Sequence, residues 1–196
     1  GYILPPLNVR DSVVMASAQP EGMLFHDMAA KGIQGRLAAR CASIPDRVEQ
    51  AAKIAEGPGQ FVVWCGLNDE STKLARAIPG AVEVSGRDSY VEKRNAILGF
   101  VRGDIRVIVS KMRIMGFGLN LQCCCNMAFV GMSDSFEQFY QAVRRCWRFG
   151  QEYEVNAHVI TTDIEGAVVR NIERKEKQAE EMMAGMVEHM KDLNSD

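Results

Sequence analysis

From about residue 60 onward, short continuous apolar runs alternate with segments whose apolar positions recur at helical spacing. Residues 61–65, Phe-Val-Val-Trp-Cys, are rich in β-formers and read as a strand. Residues 69–78 read as a helix stopped by Pro79-Gly80. A second strand is expected at 81–85 and a second helix at 89–100, with Tyr90, Ala96, Ile97 and Phe100 along one flank. Further strands follow at 105–109, 127–132 and 155–160. Nearly continuous apolar strands separated by helices predict a parallel sheet covered on both faces. The expected fold is therefore a three-layer α/β domain.

Upstream, Gly57-Pro58-Gly59 marks a joint. The region before it is punctuated by Pro5-Pro6 and Gln19-Pro20 and offers helices at 22–40 and 45–56, the first with Gly32 and Gly35 inside it. Downstream, Thr162 and Glu165 form a capping box that opens a long helix to about residue 190. Ile172, Ala179, Met183, Met186 and Met190 give that helix a stripe suited to packing on the domain. The division predicted is 1–57 as linker and helical segment, 58–162 as the α/β lobe, and 163–196 as a C-terminal helix.

The most informative segment is 136–151. At about 100° per residue, Phe136, Phe139, Tyr140, Val143, Cys146 and Trp147 share one side of a helix. Gln141, Arg144, Arg145 and Arg148 share the other. Asp134 with Glu137, or Ser135 with Gln138, supplies cap chemistry, and Gly150 stands where a helix end is expected. Three guanidinium groups thus project from one face. Such a face is either solvated surface or a clamp for polyanions, phosphate above all, since arginine keeps its charge and offers a rigid fork of donors.

Ligands of open parallel sheets bind beyond the carboxyl ends of the strands. Three loops belong there: 66–68, 85–87, and 110–121 with Gly116 and Gly118. Those glycines let backbone N–H groups approach an anion, while Lys111 and Arg113 add charge. The glycine-rich loop and the arginine helix are expected on the same edge of the sheet.

Composition narrows the choices. Net charge is −2, so a polyanion site must be a local patch rather than a global field. No apolar run reaches the roughly 18 to 20 residues of a membrane span. Six cysteines include the consecutive Cys123, Cys124 and Cys125, but no Cys-x-x-Cys pair and no His at zinc-finger spacing. They read as structural thiols in a reducing cytoplasm, with no metal site. His26, His158 and His189 sit in no motif. The opening Gly1-Tyr2-Ile3-Leu4, without Met, suggests a processed or excised chain.

Gly116-Phe-Gly-Leu-Asn-Leu121, followed by Gln141-Ala-Val-Arg-Arg-Cys-Trp-Arg-Phe-Gly-Gln151, resembles motifs V and VI of SNF2-like superfamily 2 helicases. The family patterns are roughly Gly-Gly-x-Gly-Leu-Asn-Leu and Gln-Ala-x-Asp-Arg-x-His-Arg-Ile-Gly-Gln. The run at Phe61 looks like motif IV, and Leu4-Pro5-Pro6-Leu7 with Gln19 is similar to the stretch after the first ATPase lobe. Gly-Phe-Gly, Gly-Met-Ser-Asp-Ser and Arg-Cys-Trp-Arg-Phe-Gly-Gln look like phage or prophage versions, in a bacterial or infected host cell.

The resemblance implies the second RecA-like lobe of an ATP-driven DNA motor, with double-stranded DNA as track and a first lobe of the same polypeptide as partner. Arg148 matches the arginine-finger position and Arg145 the first arginine of motif VI. Gln141, Gly118 and Asn120 are implied near the nucleotide, which is ATP with Mg²⁺ held only together with the first lobe. Lys111, Gly116, Arg113, Ser85, Gly86 and Asn68 are implied near DNA. Arg144 stands where relatives carry Asp, Trp147 where they carry His, and Met115 replaces the first Gly of motif V. Lys111 and Met112 occupy the places of the usual Ser-Thr.

No Gly-x-x-x-x-Gly-Lys-[Ser/Thr] phosphate loop and no Asp-Glu-x-His run occurs in the sequence. On the resemblance these belong to the first lobe, and the chain alone is half of an active site that does not hydrolyse ATP. Two other readings stand beside it: a non-catalytic nucleic-acid or protein interaction module on a degenerate helicase lobe, and an unrelated α/β nucleotide-binding enzyme. A phosphate loop and Asp-Glu-x-His box encoded upstream of Gly1 support the motor, whereas a true start codon there excludes it.

Overall fold

The structure, a computed structural model, describes residues 4–17, 37, 40–115, 118–131 and 136–162. Six strands, β1 (Leu7–Val14), β2 (Phe61–Cys65), β3 (Ala81–Val84), β4 (Val107–Lys111), β5 (Asn126–Val130) and β6 (Val155–Thr162), form one sheet. Their order is β1-β6-β5-β2-β4-β3, and every pairing is parallel. The helices are α1 (Ile44–Ala55), α2 (Asn68–Ala77), α3 (Tyr90–Arg102), the single turn α4 (Met112–Met115) and α5 (Phe136–Cys146).

Alternation along the central strands divides the core into two. Val62, Trp64, Ile108, Met127 and Phe129 face one layer, with Phe100 of α3 and Phe139, Val143 and Cys146 of α5. Phe61, Val63, Cys65, Val107, Val109, Ala128 and Val130 face the other, with Ile44 and Val48 of α1 and Leu74 of α2. Both faces of β2, β4 and most of β5 are therefore covered, which is why those strands are continuous apolar runs. The expected three-layer parallel α/β architecture is what the structure shows.

The largest addition is β1, which sequence reasoning did not anticipate. Its stretch Leu-Asn-Val-Arg-Asp-Ser-Val-Val has mostly exposed or half-buried positions because it is an edge strand. It pairs with β6 over its whole length, Leu7 against Val155 through Val14 against Thr162. The segment ahead of Gly57-Pro58-Gly59, expected as linker and helix, thus contributes a strand to the sheet as well as α1.

Smaller shifts of boundary have local causes. Strand β4 begins and ends two residues later than expected, so Lys111 closes a strand instead of opening a loop. Helix α3 is fixed by reciprocal bonds: Ser89 Oγ accepts Glu92 N–H at 3.2 Å, and Glu92 Oε2 accepts Ser89 N–H at 2.7 Å. Tyr90, expected on its apolar flank, is 80% exposed in the first turn. The expected helix at 22–40, the 163–190 helix and the caps at 134 and 135 lie outside the described residues, apart from positions 37 and 40.

Candidate phosphate and nucleic-acid sites

At the carboxyl edge of the sheet, the exits of β2, β4 and β5 converge. Lys111 ends β4 opposite Cys65 of β2 and is only 8% exposed. Its ammonium donates to the Asn68 side-chain oxygen. Arg113, exposed on α4, stands beside it. A cavity of about 230 Å³ lies here, bounded by Arg40, Cys65, Gly66, Lys111, Met112, Arg113 and Gln138. Three of its walls are cationic, and burial pushes the Cys65 thiol up to about 12, so that wall is an inert thiol at neutral pH.

Beneath this cavity lies a buried ion pair. Arg47 of α1 meets Glu70 of α2 at 2.7 Å, and both side chains are completely buried. Glu70 Oε2 also accepts the backbone N–H of Gly66 at 2.8 Å and of Leu67 at 3.3 Å. Arg47 donates to Ser43 Oγ and to Arg40 O, each at 2.8 Å. Burial pushes the Glu70 carboxyl up while Arg47 and the two amides oppose it. Gly131, just after β5, has φ +58, and a Cβ there would sit 2.4 Å from Glu70 Oε1. Its carbonyl accepts from the Arg40 guanidinium. Only a glycine lets this backbone lie against the ion pair.

The loop at 85–87 is locally closed. Ser85 N–H and Oγ both donate to the Asp88 carboxylate, at 2.7 and 2.8 Å. Gly86 lies 3.9 Å, measured from an ideal Cβ, from Ile114 of α4, which brings this loop against the exit of β4. Of the residues expected at DNA, Lys111, Arg113, Asn68, Ser85 and Gly86 therefore share one edge. Gly116 lies outside the described residues.

The arginines are elsewhere. Helix α5 leaves the carboxyl end of β5 and runs back along the sheet, so its last turn lies about 16 Å away, towards the amino ends of the strands. Several bonds fix that end. Trp147 Nε1 donates to Pro5 O at 2.8 Å, just before β1. The buried Gln151 amide donates to Gln122 O, Cys124 O and Cys146 O at 3.1, 3.1 and 3.2 Å, just before β5 and β6. The expectation that the glycine-rich loop and the arginines share an edge is corrected by this geometry. The chain from Gly118 to Leu121 instead descends to meet the arginines, and Leu121 N–H donates to Arg145 O at 2.9 Å.

The helix itself ends at Cys146, so Arg148 stands in the turn that follows rather than on the helical face. Phe139, Val143 and Cys146 are buried as expected, with Phe139 edge-on to Phe129 at 4.7 Å between ring centroids. Tyr140, expected on that face, is exposed and stacks on Phe136. Arg144 lies over the Trp147 ring at 5.4 Å, a cation–π contact that gives both residues a structural role. Arg145 differs from Arg144: its Nε is buried with no hydrogen-bond partner, and NH2 reaches Gln141 Oε1 only at 3.4 Å. Desolvation and the neighbouring Arg148 charge hold its pKa below the usual guanidinium value. Among the described residues no carboxylate pairs with Arg145 or Arg148. Asn120 is exposed nearby, its Oδ1 accepting Gln122 N–H at 3.2 Å, and Gly118 sits in a left-handed turn at φ +74.

The candidate residues thus separate into two groups: Asn68, Ser85, Gly86, Lys111 and Arg113 at the carboxyl edge, and Gly118, Asn120, Gln141, Arg145 and Arg148 along α5 and beyond it. Sequence reasoning missed Arg40, Gln138 and the Arg47–Glu70 pair. Glu70 had one legible signal, its position three residues after Leu67 at the start of a helix, which lets a side chain reach back to the preceding amides.

A parallel three-layer sheet with cationic groups at two such places defines a RecA-like lobe. Residues 46–150 match the helicase conserved C-terminal domain, and the chain belongs to that family. Among solved structures it is similar to the C-terminal part of the Fun30 ATPase domain, with TM-score 0.66, 13% identity, and coverage of 87% of this chain and 90% of that one. It is also similar to a DEAD box protein from the hyperthermophile Methanococcus jannaschii, with TM-score 0.60 and 21% identity. That match covers 68% of this chain and spans 37% of the DEAD box protein's length. Among curated protein sequences none matches the chain.

Proposed function

We propose that the chain is the second lobe of an ATP-dependent DNA helicase or translocase of SNF2-like, phage or prophage type, working with a first RecA-like lobe of the same polypeptide in the cytoplasm. One observation carries this most: two adjacent guanidinium groups, Arg145 and Arg148, have no carboxylate partner among the described residues and repel each other. Arg145 also holds a buried Nε donor without an acceptor. An anion with several oxygens relieves the repulsion between the two guanidinium groups, and a terminal phosphate has that chemistry. ATP with Mg²⁺, bound between the lobes, supplies the phosphoryl group that is transferred. Arg148 is the arginine finger, Arg145 holds phosphate oxygens, and Gln141, Gly118 and Asn120 line the approach. No phosphate loop occurs in the sequence, so the first lobe holds the rest of the nucleotide and its metal.

The carboxyl edge is the DNA face in this reading. Lys111, Arg113, Asn68, Ser85, Gly86 and Gly116 meet one backbone of a duplex, with Arg40 on the same cavity. Duplex binding by the chain, measured at several salt concentrations, tests it. Lys111→Ala should weaken binding and reduce the slope of log K against log salt by about 0.9, the value for one lost phosphate contact. Identical slopes for variant and parent remove Lys111 from the DNA path.

A further inference from the structure

Among the described residues the Arg47–Glu70 pair is a fully buried ion pair with no part in the function just described, yet it lies directly under the carboxyl-edge cavity. It joins α1 to α2 and grips the loop between β2 and α2 by two backbone amides, those of Gly66 and Leu67. The next residue along is Asn68, which accepts from Lys111. On the other side, Gly131 at the exit of β5 packs on the carboxylate and hands its carbonyl to Arg40. Arg47 in turn accepts no freedom of its own: Ser43 Oγ and Arg40 O hold two of its donors. Lys111 is therefore bonded to the neighbour of a residue that the pair holds, and the Arg40 guanidinium to a residue packed on its carboxylate.

We propose that Arg47 and Glu70 are positioning residues that fix the Lys111 ammonium and the Arg40 guanidinium for a nucleic-acid backbone phosphate. The carboxylate also holds the two amides just ahead of α2, those of Gly66 and Leu67. An apolar pair of similar volume would fill the same space and keep the helices packed. It would not hold Gly66 and Leu67, and Asn68 would lose its fixed place beside Lys111. This inference rests on the reading of the carboxyl edge as the DNA face, but its structural core is testable without DNA.

The experiment compares the parent chain with Arg47→Met/Glu70→Leu, which removes both charges and leaves neither uncompensated, and with Glu70→Gln. Lysine acylation by an acetyl ester, quantified by peptide mass spectrometry, reads the Lys111 environment. Lys53 and Lys73, paired on the surface, serve as internal references. In a double variant with parental circular dichroism, Lys111 should acylate about tenfold faster while the two references stay unchanged. Duplex affinity should fall by about tenfold with a shallower salt slope. Unchanged Lys111 acylation in the folded double variant overturns the proposal. Faster acylation in a chain whose parent binds no duplex upholds the positioning role and refutes the DNA reading instead.

Discussion

Replacing Gly131 by Ala puts the packing of the carboxyl edge to a quantitative test. Gly131 has φ +58, and an added Cβ would lie 2.4 Å from Glu70 Oε1, 3.0 Å from Oε2 and 3.1 Å from Arg47 NH2. The left-handed backbone alone costs an alanine about 1–2 kcal/mol. Gly80 isolates that cost, since it has φ +72 and no atom within 4 Å of an added Cβ. At Gly131 the methyl must also displace a carboxylate held by Arg47 and two amides, and separating a buried ion pair costs about 3–5 kcal/mol. Gly131→Ala should therefore lose about 4–7 kcal/mol against about 1–2 kcal/mol for Gly80→Ala. In a domain of this size each kcal/mol lowers Tm by about 2–4 °C. Urea titrations of parent and both variants, followed by fluorescence of the buried Trp64, measure the difference. Equal losses at the two glycines refute the claim that Gly131 is packed against a charge pair.

Gln151→Leu should cost about 2–3 kcal/mol, because the buried carbonyls of Cys124 and Cys146 and the half-buried one of Gln122 lose their donor, and a loss under 0.5 kcal/mol would show those carbonyls satisfied otherwise. His158 of β6 lies opposite Arg10 of β1 in register, and burial first, then the Arg10 charge, hold its pKa below 6.5. The folded state thus binds that proton less readily than the unfolded state, so its contribution is full above pH 6.5 and is lost as pH falls through the lower folded value. Thermal melts between pH 8 and pH 5 should show a shallower acid decline for His158→Gln than for the parent, and parallel curves contradict the assignment. Trp147→Phe keeps the ring under Arg144 but removes the bond to Pro5 O, and should lower stability by about 1 kcal/mol in urea titration. No change would mean that the bond does not tie this end of α5 to the entry of β1.

The central strands were legible because β2, β4 and β5 are buried on both faces and so read as unbroken apolar runs. The apolar side of α5 was legible for a similar reason: Phe139, Val143 and Cys146 recur at helical spacing. Strand β1 was not, because at the sheet edge Asn8, Arg10, Asp11 and Ser12 carry no periodic signal and pairing with β6 supplies what the side chains do not. The residues of both candidate groups could be picked from motif and charge, whereas their separation depends on direction. A helix that follows a strand of a parallel sheet runs back along it, so its last turn and the strand's exit lie at opposite ends. The Arg47–Glu70 pair was hidden because charged residues on amphipathic helices ordinarily face water, whereas here Ser43, Arg40, Gly66 and Gly131 lie against them.

The proposed function rests on two arginines, Arg145 in the last turn of α5 and Arg148 in the turn that follows. The direct measurement is DNA-stimulated ATP turnover by the polypeptide that carries both lobes, comparing Arg148→Ala with the parent and checking folding by circular dichroism. An arginine finger contributes about 10³ to 10⁵ in rate, so turnover should fall by about a thousandfold or more with the fold intact. Turnover within a few-fold of the parent would contradict the claim that Arg148 acts on the transferred phosphate.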